Sequence, residues 1–108
     1  MARSPEQIWD PIANAELARK GVSAGTGFGQ NAGLRVGGRI FAMLVRGELV
    51  VKLPSDRVDE LVDVGVAVRF DAGKGRPMRE WASVGAAASR RWRSLVEEAR
   101  AFVAAGGR

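Results

Sequence analysis

The sequence contains neither cysteine nor histidine. Disulfides, metal sites built on thiolate or imidazole ligands, cysteine nucleophiles and every Ser-His-Asp triad are therefore excluded. Catalysis would have to use carboxylates, lysine, arginine or serine. Four acids, Asp56, Asp59, Glu60 and Asp63, are close in sequence, but a solvent-facing helix side explains them. We therefore expect a non-enzymatic protein with no metal site and no cofactor.

Long apolar runs are also missing. No stretch approaches the roughly 18 residues that cross a membrane, and the N-terminus lacks the apolar core of a signal peptide. We therefore expect a cytoplasmic protein without membrane contact. The 108 residues, 46% of them hydrophobic and 27% charged, suit one globular domain over 1–108, with 1–4 and 105–108 frayed.

The net charge of +5 is concentrated in one part of the chain. Residues 69–93 contain two acids, Asp71 and Glu80, and seven bases: Arg69, Lys74, Arg76, Arg79, Arg90, Arg91 and Arg93. Such an excess suits an anionic partner, but it also suits a small protein that only needs charge to stay dissolved. Charge alone does not separate these two interpretations.

The first half of the chain predicts one helix followed by an antiparallel meander. Ser4-Pro5 begins an amphipathic helix that ends near residue 19, and Pro11 predicts either a kink or a later start. Gly25 to Gly33 is glycine-rich and predicts an irregular strand or turn. The pattern then gives a strand from Leu34, a two-residue hairpin loop at Gly37-Gly38, a strand over 39–45, a turn at Arg46-Gly47 and a strand over 48–53.

The second half predicts two helices and two short strands. A helix opens at 54–56 and turns Val58, Leu61 and Val62 inward, with its acids facing water. Strands are predicted over 66–70 and 79–84. A last helix is predicted over about 88–104, with one side covering the sheet through Trp92, Leu95, Val96, Ala99, Phe102 and Val103. Together these elements predict a two-layer α+β fold, in which N-terminal, middle and C-terminal helices pack on an antiparallel sheet of about five strands.

Four short motifs in this order resemble the N-terminal domain of the TfoX/Sxy family. They are Gly27-Phe28-Gly29, the stretch from Gly33-Leu34 through Gly38-Arg39-Ile40-Phe41-Ala42-Met43, then Leu49-Val50-Val51-Lys52-Leu53-Pro54, and Gly75-Arg76-Pro77-Met78-Arg79-Glu80-Trp81. The resemblance covers nearly the whole chain. It implies a two-layer α+β fold that is often self-associated, and no catalytic residues. In the family's namesakes this domain belongs to regulators of natural competence that act on transcription, with a second domain following it.

The loop over 73–81 is the first candidate site. Lys74, Arg76 and Arg79, together with flexible glycines, could offer cations and backbone N–H groups to a phosphate or carboxylate. A structural interpretation competes with this one. In it Pro77-Met78 docks the loop on the core, Trp81 is a core or interface aromatic, and the charged side chains face solvent.

Arg90, Arg91 and Trp92 form the second candidate site. Cations near the start of a helix oppose its dipole, so helix stability does not explain them. Arg93 suits an ion pair with Glu97 one turn on, whereas Arg90 and Arg91 have no such neighbour and could contact nucleic acid or an acidic protein, with Trp92 available for stacking.

These features leave three functions open. The first is a regulatory or protein-interaction module. The second is a weak, poorly sequence-specific DNA binder that uses the basic 69–93 segment, although no known DNA-binding motif is present. The third is a small anion-binding domain or enzyme that uses the 73–81 loop. A homodimer is also expected if the helices leave one sheet face bare, with Phe41, Met43 and Val50 as its apolar residues.

Overall fold

The computed structural model describes residues 3–25, 32–71, 75 and 77–107. Within these residues the chain forms a six-stranded antiparallel sheet with helices packed against it, which confirms the predicted α+β class. The motif Gly27-Phe28-Gly29 and the candidates Lys74 and Arg76 lie outside the described residues. The elements are α1 Pro5–Leu17, β1 Val22–Ala24, β2 Ala32–Val36, β3 Arg39–Val45, β4 Glu48–Lys52, α2 Ser55–Asp63, β5 Val68–Arg69, β6 Trp81–Val84 and α3 Trp92–Ala104, with a 3-10 segment, Ala86–Arg91, before α3.

Helix α1 begins at the predicted cap. The backbone N–H of Gln7 donates to Ser4 Oγ at 3.2 Å, and the backbone N–H of Ser4 donates to Gln7 Oε1 at 2.9 Å. This reciprocal capping box satisfies two backbone donors that the helix itself leaves free. The helix then continues through Pro11, so the alternative of a later start at Pro11 is wrong.

The two hairpin loops of the meander lie where the sequence predicts them. Gly37 and Gly38 have φ of 58° and 81°, and Arg46 and Gly47 have φ of 50° and 78°. Two successive residues with positive φ match the right-handed twist of the flanking strands. The β2–β3–β4 meander is therefore confirmed, and β3 has the predicted bounds of 39–45.

The strands lie in the order β1-β2-β3-β4-β6-β5. Strand β1, which places Val22 opposite Val36, raises the number of strands from the predicted five to six. It was missed because three residues are too few to show an alternating pattern. Strand β6 pairs with β4 and with β5, so the chain passes through α2 and β5 before it returns beside β4.

A β-bulge in β3 changes which side chains face the helices. Leu34 is opposite Ala42 while the next residue, Arg35, is opposite Ile40, so Phe41 is the extra residue. Both Phe41 and Ala42 are fully buried in the core cluster. Two consecutive side chains on one face are typical of a bulge. The prediction that Phe41 lies on a bare sheet face is therefore wrong.

Side chains from α1, α2 and α3 form the core with one face of the sheet. Trp9 and Ile12 come from α1, Val58 and Leu61 from α2, and Trp92, Leu95, Val96 and Ala99 from α3. The spacing of the last four follows one side of a helix, as predicted. The four acids of α2 are all exposed, which also agrees with the prediction.

Two ion pairs tie α3 to the other helices. Arg100 Nε of α3 lies 2.7 Å from Glu16 Oε1 of α1. Arg57 of α2 donates from Nε and Nη2 to the two carboxylate oxygens of Glu98, at 2.9 and 3.1 Å. The hydrogen bond that Arg57 donates to Glu98 raises the pKa of Arg57, against the opposing effect of burial. This two-point geometry fixes the orientation of both planar groups.

The face of the sheet opposite the core exposes little apolar surface at the expected dimer residues. Met43 and Val50 are paired across β3 and β4 and lie outside the core cluster. Met43 is nevertheless only 9% exposed and Val50 is 0% exposed. These residues therefore give no specific support to self-association, which stays a prediction. Among the described residues, no helix has both the length and the apolar character needed to cross a membrane.

Candidate functional site

The candidate arginines that the structure describes are divided between the two ends of β6. Arg79 precedes Trp81 at the start of this strand, and Arg90 and Arg91 follow Val84 at its end. The last turn of α3 returns to the Trp81 end, where Val103 lines a depression together with Lys52 and Trp81. The structure therefore does not bring Arg79 and the pair Arg90-Arg91 into one site.

At its first end, β6 places an aromatic ring beside a cation. Lys52 of β4 is paired with Trp81 of β6, and its Nζ lies 5.4 Å from the centroid of the Trp81 ring. The same Nζ lies 3.4 Å from Glu80 Oε1. A cation at this distance from an indole is attracted to the ring face. Lys52 was missed as a site residue because the sequence does not show that β4 and β6 are neighbours.

A shallow depression of about 520 Å³ lies beside this pair. A second depression, of about 420 Å³, has Lys52 and Trp81 in common with it. The first is lined by Lys52, Ser55, Pro77, Met78, Arg79, Glu80 and Trp81. We call the side chains of Lys52, Met78, Arg79, Glu80 and Trp81 the Trp81 surface.

The Trp81 surface combines apolar and cationic groups that contact solvent. Met78 is 41% exposed and Pro77 is also exposed, so the prediction that they dock the loop on the core is wrong. The backbone N–H of Met78 donates to the Phe70 carbonyl at 2.8 Å, which holds Met78 beside the end of β5. Arg79 is exposed and makes no ion pair with any described residue.

Trp92, the candidate for stacking, lies in the core-facing stripe of α3. Its side chain is 0% exposed, and its Nε1–H donates to the Gly85 carbonyl at 3.3 Å. A ring in the core has no face free for a nucleic-acid base. The suggestion that Trp92 is available for stacking is therefore wrong in this fold.

The expected ion pair between Arg93 and Glu97 is also wrong. Glu97 Oε2 lies 3.9 Å from Arg19 Nη2, and Glu98 is bound to Arg57. Arg90 and Arg93 are exposed and Arg91 is half-buried. Within the described ranges, none of these three arginines makes an ion pair.

The carboxylates of the described residues are held in structural contacts or face water. Asp59 is paired with Arg69 and Glu60 with Arg57 on the outside of α2. The Ser83 hydroxyl donates to Glu48 Oε1 at 2.6 Å. In the part of the chain that the structure describes, no three acidic side chains are grouped so that they could hold a metal ion.

The chain matches no protein-family model, no curated protein and no solved structure. The resemblance to the TfoX/Sxy N-terminal domain therefore stays a prediction that rests on the four motifs.

Proposed function

We propose that the protein is a non-enzymatic regulatory module that binds a protein partner through the Trp81 surface. One observation carries this proposal: a partly exposed Trp81, an exposed Met78 and an Arg79 without an ion-pair partner among the described residues lie beside one depression. Aromatic residues, methionine and arginine are enriched in protein interfaces. Tryptophan and arginine are also frequent among the residues that dominate binding energy.

The chemistry of the surface suits a peptide segment with an apolar anchor and a carboxylate. Trp81 and Met78 form an apolar part of the depression. The guanidinium of Arg79 has five hydrogen-bond donors, and no described acid is paired with it. Lys52 is less available, because Glu80 already neutralises it. The regulatory part of the proposal is supported only by the resemblance to the TfoX/Sxy N-terminal domain.

The proposal can be tested by selecting peptides that bind the protein from a random library displayed on phage. The selected peptides would be synthesised and their affinities measured for the wild type and for the Trp81→Ala and Arg79→Gln variants. We expect each variant to lose at least about tenfold in affinity, which corresponds to roughly 1.4 kcal/mol.

Arg90→Gln is the matched control for Arg79→Gln, since it removes the same charge from an exposed arginine at the opposite end of β6. The control should bind the selected peptides as the wild type does. Unchanged urea midpoints would show that the variants are folded. Peptides that bind all variants equally well, or turnover of a substrate by the purified protein, would contradict the proposal.

A further inference from the structure

A second surface lies at the other end of the sheet, where three elements meet. The Ser83 hydroxyl of β6 bonds to Glu48, the residue that follows the β3–β4 turn. The Gly85 carbonyl, just after β6, accepts the Trp92 indole N–H at the start of α3. The turn that holds Arg46 and the segment before α3 therefore share one end of the molecule. We call its arginines, Arg46, Arg90, Arg91 and Arg93, the basic end.

The arginines of the basic end have no ion-pair partner within the described part of the chain, and the acid at this end, Glu48, bonds to Ser83. None of the four makes an ion pair there. The acids of α3 that could have compensated Arg93 instead bind Arg19 and Arg57. Arg93 lies in the first turn of α3, which contains no acid and where the helix dipole disfavours a cation. Ion pairing within the described part of the chain therefore does not explain these four arginines.

The backbone conformation of Arg46 is a second, independent observation that points to a function of the basic end. Its φ of 50° lies in the left-handed region, and among the described residues it is the one non-glycine with positive φ. Asparagine, aspartate or glycine adopts this conformation at lower cost, and these are the usual first residues of such a turn. An arginine kept in an unfavourable conformation is a reason to look for a function of its side chain.

We infer that the basic end binds the phosphate backbone of duplex DNA without reading its sequence. This goes beyond the protein-partner function proposed above and uses other residues. Four exposed or half-buried guanidinium groups suit phosphate oxygens, which arginine contacts with paired donors. A single strand is disfavoured, because binding of unpaired bases relies on exposed aromatic rings and Trp92 is buried.

The inference can be tested by measuring the binding of a fluorescein-labelled DNA duplex. Fluorescence anisotropy would be recorded over a series of salt concentrations. The affinity should fall steeply with salt, by a log–log slope of about 0.9 for each phosphate contact. The R90Q/R91Q double variant should lose up to about 1.8 of this slope, because two contacts are removed.

The control is the K20Q/R39Q double variant, which also loses two positive charges. Lys20 and Arg39 are exposed and lie at the far end of the sheet, where the Gly37 N–H bonds to the Gly21 carbonyl at 3.2 Å. This variant should keep the wild-type slope. The inference is overturned if the wild type does not bind at low salt, or if both double variants lose affinity equally. Peptide binding to the Trp81 surface should persist in R90Q/R91Q, so the two proposals can fail separately.

Discussion

Arg100 Nε lies 2.7 Å from Glu16 Oε1, and this contact joins α3 to α1 across 84 residues of sequence. The Glu16 side chain is only 4% exposed, whereas that of Arg100 is 23% exposed. Arg19 Nε also lies 3.3 Å from the second oxygen of Glu16. The buried carboxylate of Glu16 therefore accepts hydrogen bonds from two guanidinium groups.

Replacing Glu16 by glutamine should destabilise the protein by about 2 to 3 kcal/mol. Loss of one partner of a buried pair leaves the other charge poorly solvated, and the partial exposure of Arg100 keeps the cost below that of a fully buried pair. Urea denaturation would measure the change. Arg19→Gln is the control, because Arg19 is 47% exposed and its removal should cost about 0.5 kcal/mol or less. Equal losses in the two variants would show that Glu16 does not act through Arg100.

Replacing Arg57 by lysine should cost about 1 kcal/mol. Lysine cannot make the two parallel bonds that Arg57 makes to Glu98. Arg69→Lys, which alters an exposed pair with Asp59, should change the urea midpoint much less.

The pH dependence of the Arg57 contact follows from the direction of its pKa shift. The bond to Glu98 raises the pKa of Arg57, so its stabilising contribution is complete below the unfolded pKa and is lost only as pH rises through the folded value. That pKa lies far above neutrality, so we expect the cost of Arg57→Lys to be the same at pH values just below and just above neutral. A marked change over that range would contradict this assignment.

Replacing Arg46 by asparagine should make the protein more stable than the Arg46→Ala variant by about 1 kcal/mol. Both substitutions remove the same charge, but only asparagine tolerates the positive φ that the turn requires. Urea midpoints of the two variants would be compared. If alanine is as stable as asparagine, the turn does not hold this residue in the left-handed region.

Iodide quenching of tryptophan fluorescence should report on Trp81 alone. Trp9 is 3% exposed and Trp92 is 0% exposed, whereas Trp81 is partly exposed. We expect iodide to quench part of the wild-type emission and almost none of the emission of Trp81→Phe. Substantial quenching that survives in Trp81→Phe would show that one of the other two rings is accessible. In the wild type, a peptide bound to the Trp81 surface should protect this fraction.

Local sequence patterns were sufficient to predict the hairpin turns, strand β3 and the inward side of α2. Gly37-Gly38 and Arg46-Gly47 indicated the two tight turns, and the apolar residues between them indicated β3 with its observed bounds. The inward stripe of α2 was equally clear, because Val58 and Leu61 are separated by nearly one helical turn. These features need no knowledge of distant residues.

The remaining features depend on which distant segments meet. The bulge at Phe41 arises from a register shift in the pairing of β3 with β2, and alternation along β3 alone assigned this ring to the wrong face. Glu97 pairs with Arg19, which follows the end of α1, instead of with its sequence neighbour Arg93. Lys52 becomes a site residue only because β6 lies beside β4. Single-sequence reasoning had no access to these pairings.

The position of β6 gives the C-terminal part of the chain a protective role during folding. Strands β1 to β4 are connected in sequence and can pair by short-range hairpin formation, but the outer edge of β4 stays open until β6 arrives. That edge contains Leu49, Val50 and Val51, and an open apolar edge can pair with the same edge of another chain. Completion of the fold therefore competes with aggregation, and a chain cut before β6 would favour aggregation.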